Sequence, residues 1–289
     1  MSAPSTRMST SVPRLSRSSV PAMRAFLRFA VVVGVVSGVV IPIAVLVIQS
    51  IGDRWFYPDL LPRRLSDRAW AYVVSGRTGV LGATAMSLGI AVAVTAISIL
   101  LGVPAGRGLA ALTQRSRRAW EWFFLLPVVI PPLAVALGLH VAFLRVGLTD
   151  TAVGVIIAHL LPTVPYMVLV TMGTFLNIDL DHEAQARTLG AGPVRAFLVV
   201  GVPSAMPGLA TGSLFVFLIS WSQYALTVLI GGGRVVTLPI LLFAFASSGD
   251  MSVAAALSLV FVLPPVLVLF LTARLVSASG VLPGGVMPG

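Results

Sequence analysis

"DHEAQARTLGAGPVRAFLVVGVP", residues 181–203, decides how this chain is read. Two acids (Asp181, Glu183), two arginines (Arg187, Arg195) and a Gly190-Ala191-Gly192-Pro193 break stand between two almost wholly apolar stretches. Acids here, with Asp179 just before them, complement the free N–H groups and the positive end of a helix. Glu183 and Arg187 lie four apart in the order that adds roughly a few tenths of a kcal/mol to a helix. Gly190 and Gly192 supply positive-φ stop positions. Pro193 suits the first position of a new helix, which is expected to end at Pro203. The pattern predicts two short helices at an angle. Small residues beside the charges (Ala184, Ala186, Ala191) let another surface approach closely. The alternative is a capped helical connection with no partner.

The surroundings are those of a membrane protein. Of 289 residues, 57% are hydrophobic and 10% are charged, against about 25% charged in a soluble domain. Cys is absent, which excludes disulfides and thiolate chemistry. Lys is absent too, so no Walker A loop exists to bind nucleotide phosphates. The net charge of +10 is read as arginines flanking membrane spans, with no nucleic-acid partner.

A spanning helix needs about 20 apolar residues. Cutting the sequence at every charged residue leaves six windows long enough, with helices expected at 29–50, 80–103, 122–144, 152–176, 206–230 and 251–273. The expected fold is an all-α integral membrane domain over 26–276. A basic tail (1–25) and a short end (277–289), both expected to be disordered, flank it. The first window is longer than a signal h-region and reads as a retained helix. Val235–Gly249 is too short to cross and reads as a surface or re-entrant segment. With the N-terminus inside, twelve arginines fall on the cytoplasmic side and seven outside, so both termini are expected in the cytoplasm. The loop 53–77 carries Trp55, Phe56, Tyr57, Trp70 and Tyr72, a group suited to the membrane interface. The 181–203 hairpin then lies in the cytoplasm, between the fourth and fifth spans.

The hairpin resembles the EAA loop of permease subunits of type I ABC importers: Glu-Ala-Ala, three residues, Gly, nine residues, Ile-x-Leu-Pro. Gly190 and Pro203 have the family spacing, and "ARTLGAG" is a typical local version. Val200 and Val202 stand at the Ile and Leu positions. The Glu position holds Ala184, the next Ala position holds Gln185, and Glu183 comes one residue early. The resemblance implies a coupling helix seated on a cytoplasmic ATPase, with Glu183, Ala184, Gln185, Arg187, Gly190, Gly192 and Pro203 as the coupling set. It further implies a second permease subunit, identical or paralogous, two ATPases that bind ATP and Mg, and an extracytoplasmic binding protein. No cofactor or catalytic residue is implied in this chain, which would be a multi-pass protein of a prokaryotic cell membrane.

Breakers concentrate in the third and fourth windows: Pro127, Pro131, Pro132, Pro162 and Pro165. Interrupted backbone at membrane depth is tolerated where it is buried or lines a cavity. Pro131 and Pro132 are therefore candidate pathway residues. The fifth window carries Ser220, Trp221, Ser222, Gln223 and Tyr224, and polar groups in a span usually face the interior. At helical spacing Ser220, Gln223 and Tyr224 share one face, while Trp221 points elsewhere; all four join the pathway candidates. His140 and His159 read as hydrogen-bonded packing residues. No metal-binding cluster stands out.

"LLPVVIPPLAVALGL" and "RTLGAG" resemble the spermidine/putrescine-type subgroup, which implies polyamine-like, thiamine, phosphonate or iron cargo. Ser222-Gln223 stands where polyamine permeases tend to carry Asp-Asp, and none of the six windows holds an acid. "WSQY" half resembles the Trp-Asn-Glu-Phe of sugar permeases, so a sugar-type importer is one alternative. An ion-coupled secondary transporter is another, though it would usually carry intramembrane acids and paired repeats.

Overall fold

The computed structural model describes residues 19–278, apart from 54, 56–58, 60, 77, 179 and 180. Most of the two expected disordered tails, together with Phe56, Tyr57 and Asp179, lies outside the described residues. In chain order the helices are α1 (Ser19–Ile51), α2 (Arg68–Val74), α3 (Val80–Ala110), α4 (Gln114–Val129), α5 (Pro132–Val146) and α6 (Ala152–Leu176). Then follow α7 (Asp181–Thr188), α8 (Pro193–Ala196), α9 (Val202–Trp221), α10 (Ala225–Gly231), α11 (Leu238–Ser248) and α12 (Met251–Ala278). An isolated antiparallel bridge joins Gly52 to Leu65.

Two compact units are present, residues up to 46 and residues from 47 onward. The described part of the first is the body of α1, whose most apolar stretch of 18 residues has none buried. The helix begins at Ser19, ten residues before the expected start. Arginine is a good helix former, so Arg24 and Arg28 do not stop it, and proline at Pro21 is tolerated in a first turn.

Among the described residues, five helices are long and apolar enough to cross a membrane: Phe26–Ile51, Val80–Ala110, Ala152–Leu176, Pro193–Trp221 and Met251–Ser277. The third expected span, 122–144, is instead divided between α4 and α5. Ile130 (ψ 135°) and Pro131 (ψ 127°) are extended. Each precedes a proline, a position where the helical region is sterically disfavoured. The fifth expected span is displaced. Its helix runs from Pro193 through one wide π-helical turn, Phe197–Gly201, and ends at Trp221 instead of 230. The helix thus passes through Pro203, where it was expected to stop. Pro203 has no N–H to give the carbonyl of Val199, and Val199 sits inside the wide turn, where bonding skips a residue. Ser204 Oγ donates to the neighbouring Val200 carbonyl at 2.7 Å.

The core of the second unit is α3, α6 and α9 packed on one another. Between lipid-soluble helices, close approach of small residues and interhelical hydrogen bonds replace the hydrophobic drive available in water. Gly102 and Gly106 provide that approach: a Cβ on Gly102 would lie 2.6 Å from Met167 Cγ, and one on Gly106 2.7 Å from the Val168 carbonyl oxygen. Gly208 sits likewise against Thr174. Ser98 and Thr163 hydroxyls meet at 3.1 Å between α3 and α6.

A second cluster joins α2, α9 and α12 through Ala69, Val73, Phe217, Trp221, Val253 and Leu257. Beside it, Arg68 makes two hydrogen bonds to Asp250, at 2.8 and 2.9 Å, tying the start of α2 to the turn before α12. The hydrogen bond from Arg68 holds the Asp250 carboxyl below the usual carboxylate range and raises Arg68 in turn.

Candidate functional site

Two regions hold the residues singled out by sequence. The first is the hairpin. Helix α7 ends as Gly190 requires: Gly190 is at φ +90°, its N–H donates to Arg187 O at 3.0 Å, and Ala191 N–H reaches back to Ala186 O at 3.1 Å. This pair of bonds closes the helix on a left-handed glycine. Gly192, expected at positive φ, is instead extended (φ −63°, ψ 159°), the conformation favoured before a proline, and Pro193 opens α8. Ala184, Gln185, Arg187, Gly190, Gly192 and Pro203 all lie on the exposed side.

Glu183 does not. It is 9% exposed, the one buried carboxylate among the described residues. Arg107, in the last turn of α3, grips it with two bonds, Nη2 to Oε2 at 2.8 Å and Nε to Oε1 at 3.3 Å. The Arg107 guanidinium also lies 5.7 Å from the centre of the Phe175 ring. A cleft of about 300 Å³ opens there between Pro104, Arg107, Arg187 and Phe197. Local spacing contains no trace of this pair, since 76 residues separate its members. Sequence reading also passed over Leu189, which projects from the hairpin tip at 88% exposure.

The second region is a half-open cavity of about 210 Å³ between α4, α5, α6, α9 and α10. Pro127, Val135, Leu161, Pro162, Tyr166, Ile219, Gln223 and Leu226 line it. Of the candidate pathway residues, Gln223 is here. Pro131 is exposed at the α4–α5 break and is not among the lining residues. Pro132 opens α5. Pro127 and Pro162 supply the proline surface instead. Tyr166, which drew no attention in the sequence, adds a phenol.

The expected common face of Ser220, Gln223 and Tyr224 is dispersed because the helix stops between them, at Trp221. Ser220 is buried and bonded to His159 Nδ1 at 3.0 Å, while Thr227 meets Nε2 at 3.0 Å. Thr227 spends its one hydrogen on the Gln223 carbonyl at 2.7 Å, so it accepts from Nε2–H. His159 therefore bridges α6 to the two helices flanking the break. Tyr224 packs on Phe243, ring centres 4.8 Å apart. Trp221, 2% exposed, lies between the rings of Phe217 and Phe261 and donates its Nε1–H to the Phe261 carbonyl at 3.1 Å. These contacts make Trp221 a packing residue between α9 and α12.

A helical bundle with a glycine-closed polar hairpin at one end and a proline-lined cavity within it defines a class, and comparison with known proteins agrees. Residues 98–279 match the family described as binding-protein-dependent transport system inner membrane component, and the chain belongs to that family. It is a multi-pass inner membrane protein, a permease subunit of an ABC importer. Among relatives, the molybdenum transport system permease protein ModB of Mycobacterium tuberculosis is 31% identical over 218 residues, covering 70% of this chain and 81% of that protein. The molybdate/tungstate transport system permease protein WtpB of Thermococcus kodakarensis is 33% identical over 177 residues, 61% and 65% of the two chains. The trehalose transport system permease protein SugB of M. tuberculosis is 29% identical over 206 residues, 69% and 75%. The fold is shared with a bacterial ABC transporter that imports the acidic polysaccharide alginate, at a TM-score of 0.69 and 19% identity over 91% of this chain and 99% of that one. The spermidine/putrescine subgroup gains no support from these relatives.

Proposed function

We propose that this permease forms half of a pathway for a small tetrahedral oxyanion of the molybdate or tungstate kind. The observation that carries the cargo reading is the cavity wall. Its polar groups among the described residues are the Gln223 amide and the Tyr166 phenol, both able to donate hydrogen bonds, and no described lining residue is a carboxylate. Such a wall suits an anion and offers nothing to a polyamine, whose charges would need acids in their path. The molybdenum and molybdate/tungstate relatives support the same reading. In this account α4 and α5 together make a sixth crossing, both termini are cytoplasmic, and a second permease subunit completes the pathway. Two cytoplasmic ATPases grip the 181–203 hairpins, and an extracytoplasmic binding protein delivers the cargo. Closure of the ATPases moves the paired hairpins and reverses the side to which the cavity opens.

The test is ATP-driven uptake by proteoliposomes holding the permease pair, its ATPase and its binding protein. Molybdate and tungstate are expected to accumulate, and trehalose and spermidine are expected to stay at background. Accumulation of the disaccharide without the oxyanions would turn the assignment to the sugar-type class.

A further inference from the structure

Glu183 is the acid nearest to the family's usual Glu position, yet its carboxylate is turned away from the surface an ATPase would meet. We infer that Arg107 and Glu183 form a latch through which hairpin motion is delivered to α3, with Arg107 as a positioning residue for coupling. The inference rests on the proposed ATPase-gripped role of the hairpin and adds a second route out of it.

Three elements enclose the carboxylate. Arg107 of α3 holds both of its oxygens. Phe175 of α6 lies beneath the guanidinium and against Phe197, ring centres 6.1 Å apart. Gly201, at the end of the wide turn, leaves the space that Oε1 fills, and a Cβ there would strike that oxygen. A two-bond arginine–carboxylate contact fixes orientation as well as distance. Helix α7 thus cannot shift or rotate without pulling on the end of α3. Helix α3 is in turn locked to α6 through Gly102 and Gly106.

The chain route is less direct. It runs through the Gly190 turn, α8 and the wide turn before reaching α9. A push on the hairpin that had only this route would be absorbed in part by the irregular turn. With the latch closed, the same push reaches α3 and α6, the two helices beside the cavity helix α9, at the same time. The latch also explains the division of labour on α7. Its inward residue is spent on the bundle, and Ala184, Gln185 and Arg187 remain for a partner.

The assembled transporter in proteoliposomes tests this with Arg107→Ala, Glu183→Ala, the exchange Arg107→Glu/Glu183→Arg, and Gly201→Ala, which keeps both charges but displaces the carboxylate. Three quantities are read: ATPase retained on the permease, ATP hydrolysed, and cargo taken up. The single variants and Gly201→Ala are expected to retain the ATPase and to hydrolyse ATP while cargo moved per ATP falls about tenfold. The exchange is expected to recover most of that loss, as coupled charge pairs do. Single variants that lose the ATPase, with no recovery on exchange, would make Glu183 an ATPase contact and overturn the latch while sparing the coupling hairpin. An unchanged ratio of cargo to ATP in every variant would also overturn it. An ATPase indifferent to the hairpin as a whole would remove the reading on which it rests.

Discussion

Replacing Gln223 by Glu is expected to abolish oxyanion uptake while leaving the assembly of permease and ATPase intact. The side chain lines the cavity from the break between α9 and α10, and its length and shape are retained by Glu. What changes is charge. A carboxylate about 4 Å from a doubly charged anion repels it by about 2 kcal/mol even in a water-like dielectric, and by about 8 kcal/mol at an effective dielectric near 20. The smaller figure alone lowers passage about thirtyfold. None of the described lining residues is an arginine that would offset it. Uptake of labelled molybdate by proteoliposomes measures the effect. Undiminished molybdate uptake by the Gln223→Glu permease would show that the cargo does not pass this wall.

The second large effect is expected at Leu189. At 88% exposure it is among the most exposed large apolar side chains of the molecule, held at the tip of a rigid, glycine-closed hairpin. Val194, 69% exposed, stands on the next helix. Neighbouring exposed apolar side chains on such a support form a surface that a partner can cover. Leu189→Asp would require a carboxylate to leave water on docking, at a cost of about 3 kcal/mol. That cost corresponds to about a hundredfold loss of affinity for the ATPase. Leu189 is 88% exposed, so the variant is expected to fold as the parent does. Titration of the ATPase against detergent-solubilised permease gives the dissociation constant directly. An unchanged constant would place the docking surface elsewhere.

The sequence made some of this legible because the signals were local. Apolar windows predicted the long helices, since length and hydropathy are properties of contiguous residues. Gly190 predicted the end of α7, because a left-handed stop needs a residue without a Cβ. The short window 235–249 predicted a surface or re-entrant segment too short to cross, and it holds the short helix α11. Other features depended on competition between effects. The prolines at 131 and 132 marked the third span as interrupted, yet whether two prolines kink a helix or divide it is set by packing on both sides. The break after Trp221 has no glycine or proline to announce it. Tertiary contacts hold it instead, through Trp221 on Phe261 and His159 between Ser220 and Thr227. Pro203 looked like a stop, but the wide turn before it accommodates a residue without an N–H. The Arg107–Glu183 pair could not be found by spacing at all. In retrospect the only signal was chemical: a carboxylate on a surface-bound helix and an arginine at the end of an apolar span.

The absence of cysteine allows the central claim to be tested with a single thiol. Leu189→Cys would carry the only thiol in the chain, at the tip of the hairpin. A membrane-impermeant maleimide applied to oriented membrane vesicles then reports which side the tip faces, and addition of the ATPase reports whether the tip is covered. Modification only where the cytoplasmic face is exposed, and its suppression by the bound ATPase, is the predicted result. Modification from the extracytoplasmic face would put the hairpin beyond the reach of any ATPase and contradict the account.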